Sequence, residues 1–183
     1  MNADKAPVIT VKKLKYAAFS SEETSCFEAT VYVDGKKFCT SSNEGHGGPN
    51  MDYPVGEATM SDLACQIKAL NKRIAAAAEP PLESEPEWKQ DLWKKGFRPD
   101  FEMAVMEAVD RALAAKDLKK ILKKSVMIED EGRCYTLDPM PVDTLFSTAR
   151  VAAKESIAKA YPKAQIINLL PFEEALDIYM RTT

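Results

Sequence analysis

SSEETSCFEATVYVDGKKFCTSSNEGHGGPN, running from Ser20 to Asn50, decides how the N-terminal part of this chain folds. Within it, Asp34-Gly35 stands between two runs rich in β-branched and aromatic residues, the strongest short-range signal for a hairpin. A two-residue type I′ turn needs φ > 0 at both central positions; glycine adopts it freely and aspartate tolerates it. Counting outward pairs Val33 with Lys36, Tyr32 with Lys37, Val31 with Phe38 and Thr30 with Cys39. The same count sets Ala29 against Thr40, Glu28 against Ser41 and Cys26 against Asn43. Side chains alternate across a strand, so Phe27, Ala29, Val31, Val33 and Phe38 form a core face. Cys26, Glu28, Thr30, Tyr32, Lys37, Cys39, Ser41 and Asn43 form the opposite, polar face, open to a partner. A slip of one residue would mix charged and apolar groups on one face, so this register is expected along the whole hairpin.

The same pairing brings the SEET start of one strand beside the NEGHGGPN loop that leaves the other. Glu22, Glu23, Thr24, Asn43, Glu44 and His46, the chain's one histidine, are expected at that end. Carboxylates beside an imidazole serve pH-sensitive binding sites and general bases alike. With no second histidine and no placed nucleophile, a solvated turn rich in glycine explains the same residues, and no catalytic residue is assigned. A Cys26–His46 dyad is geometrically conceivable on this register but has no third group to orient it.

Upstream, Val8 to Val11 and Leu14 to Phe19 read as a further strand of the same sheet. Downstream, Met60, Leu63, Ile67, Leu70 and Ile74 recur at helical spacing, predicting an amphipathic helix over 59–78 that covers the apolar sheet face. EPPLESEPE (79–87) is an acidic, proline-rich connector. A short helix carrying Trp88 and Leu92 follows, with Gly96 as its C-terminal stop; Trp88 and Trp93 are either core residues, the commoner case, or interface anchors. Asp100 is placed to cap a long helix over 101–124. Its buried stripe is Phe101, Val105, Val109, Ala112, Leu118, Ile121 and Leu122, and Lys116, Lys119, Lys120, Lys123 and Lys124 crowd its last turns. Lysines there suit the negative end of the helix dipole, and Lys119, Lys120 and Lys123 double as a candidate contact for phosphate.

Beyond it, Val126–Ile128 and Cys134–Leu137 flank Asp130-Glu131-Gly132 as a second hairpin. Leu145, Phe146, Ala149, Ala153 and Ile157 outline another helix, Ile166-Ile167 a short buried strand, and Pro171 the first position of a last helix that packs through Ala175, Leu176 and Tyr179. The class is therefore α+β: a small N-terminal antiparallel sheet packed by helices, then a helical region with a second hairpin. The expected organisation is 1–78 for sheet and covering helix, 79–99 for connector and short helix, and 100–183 for the remainder, the last possibility being one continuous domain.

Composition narrows the function classes. The 183 residues carry a net charge of −3, which disfavours general nucleic-acid affinity while leaving local lysine clusters free to touch phosphate. No apolar run reaches membrane-spanning length and MNADKAPVIT lacks a signal peptide's apolar stretch, so a cytoplasmic protein is expected. Cys26, Cys39, Cys65 and Cys134 show no CxxC spacing; free thiols are expected, with neither a disulfide nor a zinc site. There is no GxxxxGK[ST], GxGxxG, HExxH or GxSxG motif, so neither cofactor nor metal is assigned.

SEETSCFEATVYVDGKKF…SNEGHGG, together with the tail INLLPFEEALDIY, resembles a family of small bacteriophage- and prophage-encoded proteins. The resemblance is strongest over residues 11–50. The family carries no established activity to transfer; by analogy with small accessory phage proteins that lack catalytic motifs, an accessory binding protein of the anti-CRISPR type, inhibiting a host defence protein or nucleoprotein, is expected. Glu22, Glu23, Glu28, Tyr32, Lys37, Asn43 and His46 would be its contact patch, with Lys119, Lys120 and Lys123 secondary. The alternatives are a nucleotide-binding protein or enzyme using the Glu22/Glu23/His46 end, and a structural or regulatory protein that self-associates through the hairpin edge.

Overall fold

Asp34 and Gly35 both carry positive φ, 51° and 78°, so the hairpin turns where its sequence predicts. The computed structural model describes residues 5–83, 85–148 and 150–182. Strands β1 (Ile9–Tyr16), β2 (Phe27–Val33), β3 (Lys36–Asn43) and β4 (Met51–Pro54) form a four-stranded antiparallel meander in that order. β4 was not expected; its MDYP has too few residues for alternation to show, and its proline is tolerated because the strand lies at an edge.

The hairpin register holds for two pairs and then slips. Val33 faces Lys36 and Tyr32 faces Lys37, but a bulge at Phe38 sets Val31 against Cys39, Thr30 against Thr40, Ala29 against Ser41, Glu28 against Ser42 and Phe27 against Asn43. This corrects the regular pairing read from the turn. Beyond Phe38 the strand reads CTSSN, which has no apolar alternation to pin it, and such strands slip easily. The extra residue lets Phe38 pack edge-on against Phe101, ring centroids 5.4 Å apart. Cys39, Ser41 and Asn43, expected on the open face, are buried instead.

The buried face of the sheet thus carries Phe27, Ala29, Val31 and Cys39. Helix α1 (Met60–Ala77) contributes Leu63, Leu70 and Ile74 to the interior. Thr59 and Asp62 close a reciprocal capping box at its start. Helix α2 (Glu87–Lys94) buries nothing: five of its eight residues, EWKQDLWK, are polar or charged, too little apolar surface to sink a helix. Trp88 is 60 % exposed, against the expected core position, whereas Trp93 lies under the Arg98 guanidinium at 3.7 Å. Gly96, φ 87°, ends α2 with paired bonds from Gly96 N to Trp93 O and Phe97 N to Leu92 O. Helix α3 (Phe101–Leu122) is capped by Asp100, whose Oδ1 accepts from Met103 N at 3.0 Å. Phe101, Val105 and Val109 supply its first buried turns.

The chain divides into two compact units between Asp110 and Arg111, inside α3, so residues 79–99 belong to the first. In the second unit β5 (Ser125–Asp130) is the central strand of a sheet ordered β6-β5-β7, with β6 Arg133–Pro141 and β7 Gln165–Ile166. Glu131 and Gly132 make its tight turn, φ 50° and 80°. Alternation explains its packing. Val126 and Ile128 face Leu145, Ala153 and Ile157, the latter two from α4 (Arg150–Ala160). Met127 faces the other way, onto Leu118 of α3 and Ala175, Leu176 and Ile178 of α5 (Phe172–Thr182). Phe146, expected on the buried stripe with Leu145, is 66 % exposed because a 3-10 turn over Val142–Leu145 breaks the helical phase. Ala149 of that stripe lies outside the described residues. The last helix starts one residue later than expected, at Phe172. Asn168 ties the second unit together: Nδ2 donates to Leu122 O and Ser125 O, and Oδ1 accepts from Met127 N at 2.7 Å. Among the described residues, no helix is long and apolar enough to cross a membrane.

Candidate functional site

The loop after β3 is built around Asn43. Its Oδ1 accepts from Thr24 Oγ1 (2.7 Å) and Gly45 N (2.9 Å), and its Nδ2 donates to Gly48 O (2.9 Å) and Asn50 Oδ1 (3.1 Å). Gly45 O in turn accepts from the successive amides of Glu22, Glu23 and Thr24. Gly45, φ 90°, must be glycine, since a Cβ there would collide with Ser20 O. Of the six residues expected at this end, Glu22, Glu23, Thr24, Asn43 and His46 meet in this loop, while Glu44 is exposed and takes no part in these bonds. Asn43, however, is buried and all of its amide capacity is spent inside the loop, so it positions the others.

His46 Nδ1 lies 3.3 Å from Glu22 Oε2, with the side chains 61 % and 69 % exposed. A contact that open to water contributes little energy. Among the described residues no hydrogen bond joins His46 to Cys26, whose backbone N donates to Ser21 Oγ. Nor, among the described residues, do any three His, Cys, Asp or Glu side chains converge as a metal centre requires.

The broader surface is the outer face of the β1–β4 sheet. Residues directly opposite on antiparallel strands share a face, so the registers define rows across it. Lys15, Glu28, Ser42 and Met51 make one row; Lys12, Thr30, Thr40 and Tyr53 the next; Thr10, Tyr32 and Lys37 the third. None of these residues is buried. Lys15 pairs with Glu28 at 3.0 Å, and Lys12 Nζ sits 4.5 Å from the centre of the Tyr32 ring. Glu28, Tyr32 and Lys37 were expected here. Met51, Tyr53, Lys12 and Lys15 join them only because β1 and β4 pair outside the hairpin. Tyr53 and Met51 are 47 % and 52 % exposed.

Family models, curated proteins and solved structures offer no match to this chain. The site's chemistry must therefore be read from its residues. Tyrosine and methionine favour adhesion: tyrosine brings a large rigid area with a polar tip, and methionine adapts to a partner's shape.

Beneath the sheet lies a polar seam. Ser41 and Asp52 pair across β3 and β4, and Ser41 Oγ and Asp52 Oδ1 are both buried. Burial lifts the Asp52 carboxyl above its usual range, the Ser41 hydroxyl opposes this, and the Glu102 carboxylate adds to it. Burial, reinforced by Asp52, pushes the neighbouring Cys39 thiol up to about 12. The thiolate is the reactive form, so Cys39 should resist iodoacetamide in the native protein while exposed Cys65 alkylates. Peptide mass spectrometry separates the two, and fast modification of Cys39 would contradict this packing.

In the second unit, Lys116, Lys119, Lys120 and Lys123 border a shallow groove of about 360 Å³ with Ala112 and Ala115. Two of the expected lysines are engaged: Lys120 pairs with Asp117 at 3.1 Å, and Lys119 Nζ lies 4.7 Å from the Phe172 ring centre. Arg111 bridges Asp177 at 2.6 Å and Glu173 at 2.8 Å, and both carboxylates hold its guanidinium pKa above its ordinary value.

Proposed function

We propose that this chain is a binding protein, a phage-type accessory factor that inhibits a host defence protein or nucleoprotein in the host cytoplasm by occupying its surface. The observation that carries the reading is the uncovered outer face of a four-stranded sheet, with Tyr32, Met51 and Tyr53 in register among lysines and hydroxyls. Interfaces concentrate tyrosine, and a few such side chains carry most of the affinity. The anti-defence part rests on the resemblance of the Ser20–Asn50 string to phage-encoded proteins. Self-association through the hairpin edge is less well supported: β2 and β3 are each paired on both sides. The outer edge β1 is interrupted at Lys13, φ 54°, and rich in lysine, which blunts pairing.

Expression in a bacterium with an active CRISPR system should restore plaque formation by a targeted phage. Tyr32→Ala combined with Tyr53→Ala should weaken binding to the inhibited complex by roughly thirty-fold, the effect of losing about 2 kcal/mol at an interface hot spot. Circular dichroism should be unchanged. Full activity of the double variant would remove the sheet face from the interface. Failure to relieve any defence system tested would remove the inhibitor reading.

A further inference from the structure

A groove in the first unit runs beside the Asp34-Gly35 turn and α1, away from the Asn43 loop and meeting the sheet face described above at Lys37. Its volume is about 480 Å³, within the range of small-molecule sites. Val33, Phe38, Ala69 and Leu70 give it an apolar lining. Lys36, Lys37 and Arg73 oppose Asp34 around it, leaving an excess of positive charge.

Arg73 is the telling residue. Asp34 Oδ2 accepts from Arg73 Nη2 at 3.1 Å, while Asp34 Oδ1 accepts from Val8 N at 3.0 Å. The Val8 amide first, and Arg73 with it, keep the Asp34 carboxyl below its ordinary pKa despite some desolvation. The aspartate is thus charged and doubly engaged, and it anchors the guanidinium at one nitrogen. Arg73 Nε is buried with no hydrogen-bond partner. The rest of the guanidinium, on a side chain that is 25 % exposed, lines the groove and offers an incoming oxyanion a charge-assisted bond.

We infer that this groove binds a small amphipathic anion, with an apolar body against Val33, Phe38 and Leu70 and one carboxylate, sulfonate or phosphate at Arg73. Lys36 and Lys37, both exposed, supplement the charge without fixing geometry. The commitment to an anion follows from the charge excess and from the partly exposed Arg73 guanidinium that Asp34 holds in the lining; the commitment to an apolar body follows from the lining.

Fluorescence titration with 8-anilinonaphthalene-1-sulfonate tests it on the full chain, with uncharged N-phenyl-1-naphthylamine as the comparison. The sulfonate should saturate at a single site per chain and bind about tenfold or more tighter than the uncharged probe, as a charge-assisted bond requires. Ala69→Trp, at an exposed position on α1, should block the groove and abolish binding of both probes. Arg73→Met should weaken the sulfonate by about tenfold and leave the uncharged probe unchanged; thermal unfolding of each variant confirms that it is folded. Absence of saturable binding, equal affinity for the two probes, or full binding by Ala69→Trp would each overturn the assignment. Ala69→Trp stands even where Arg73→Met fails to fold.

Discussion

Phe101→Ala should cost the first unit about 3–5 kcal/mol of unfolding free energy, the range for emptying a buried aromatic site. Phe101 is 2 % exposed, and its ring meets Phe38 edge-on at 64° between planes. Such pairs contribute about 0.5–1.5 kcal/mol beyond area burial. Its amide also donates to Asn71 Oδ1 at 2.7 Å, which joins the start of α3 to α1. Truncation would leave a cavity between a helix start and a strand bulge, two features that collapse poorly because each is held by backbone bonds. Urea denaturation followed by circular dichroism measures the loss. Phe19→Ala is the matched control: that ring is 92 % exposed, and its loss should stay within about 0.5 kcal/mol. A cost below about 1 kcal/mol for Phe101→Ala would mean that the Phe38 bulge does not pack as described.

Asn43→Ala should be the next most damaging, at about 2–4 kcal/mol, since buried hydrogen-bond partners left unmatched cost about 1–3 kcal/mol each with partial relief by water. The substitution removes the bonds to Thr24, Gly45, Gly48 and Asn50 together. The buried Gly45 amide then has no acceptor, and the turn that collects the Glu22, Glu23 and Thr24 amides on Gly45 O loses its brace. Amide hydrogen exchange at Gly45 and Glu22–Thr24 should accelerate sharply relative to the β2 core. His46→Ala, at an exposed side chain, should leave those rates alone. Unchanged exchange in Asn43→Ala would show that the glycines hold the loop without it.

Much of this architecture was legible in local sequence. Asp34-Gly35 demanded its turn, Asp100 and Gly96 marked helix ends, and the spacing of Leu63, Leu70 and Ile74 drew the buried stripe of α1. The crowding of Glu22 and His46 at one end of the hairpin also followed from strand pairing alone. The site's wider extent was hidden. Tyr53 and Met51 sit in a four-residue strand that alternation cannot reveal, and they reach Tyr32's face only through pairing with Thr40 and Ser42. The tryptophans misled because hydrophobicity alone does not say whether a short helix has enough apolar neighbours to be drawn inward.

What this sequence determined by itself is where the backbone turns and where its helices run. Those choices rest on φ preferences, capping oxygens and apolar periodicity carried by the residues themselves. Tertiary structure alone decided the strand register beyond Phe38, and with it which of Cys39, Thr40, Ser41, Ser42 and Asn43 faces inward. A polar strand offers nearly equal local energies in either register. Packing of Phe38 on Phe101, some sixty residues away in sequence, and the bonds that Asn43 makes within its loop break the tie.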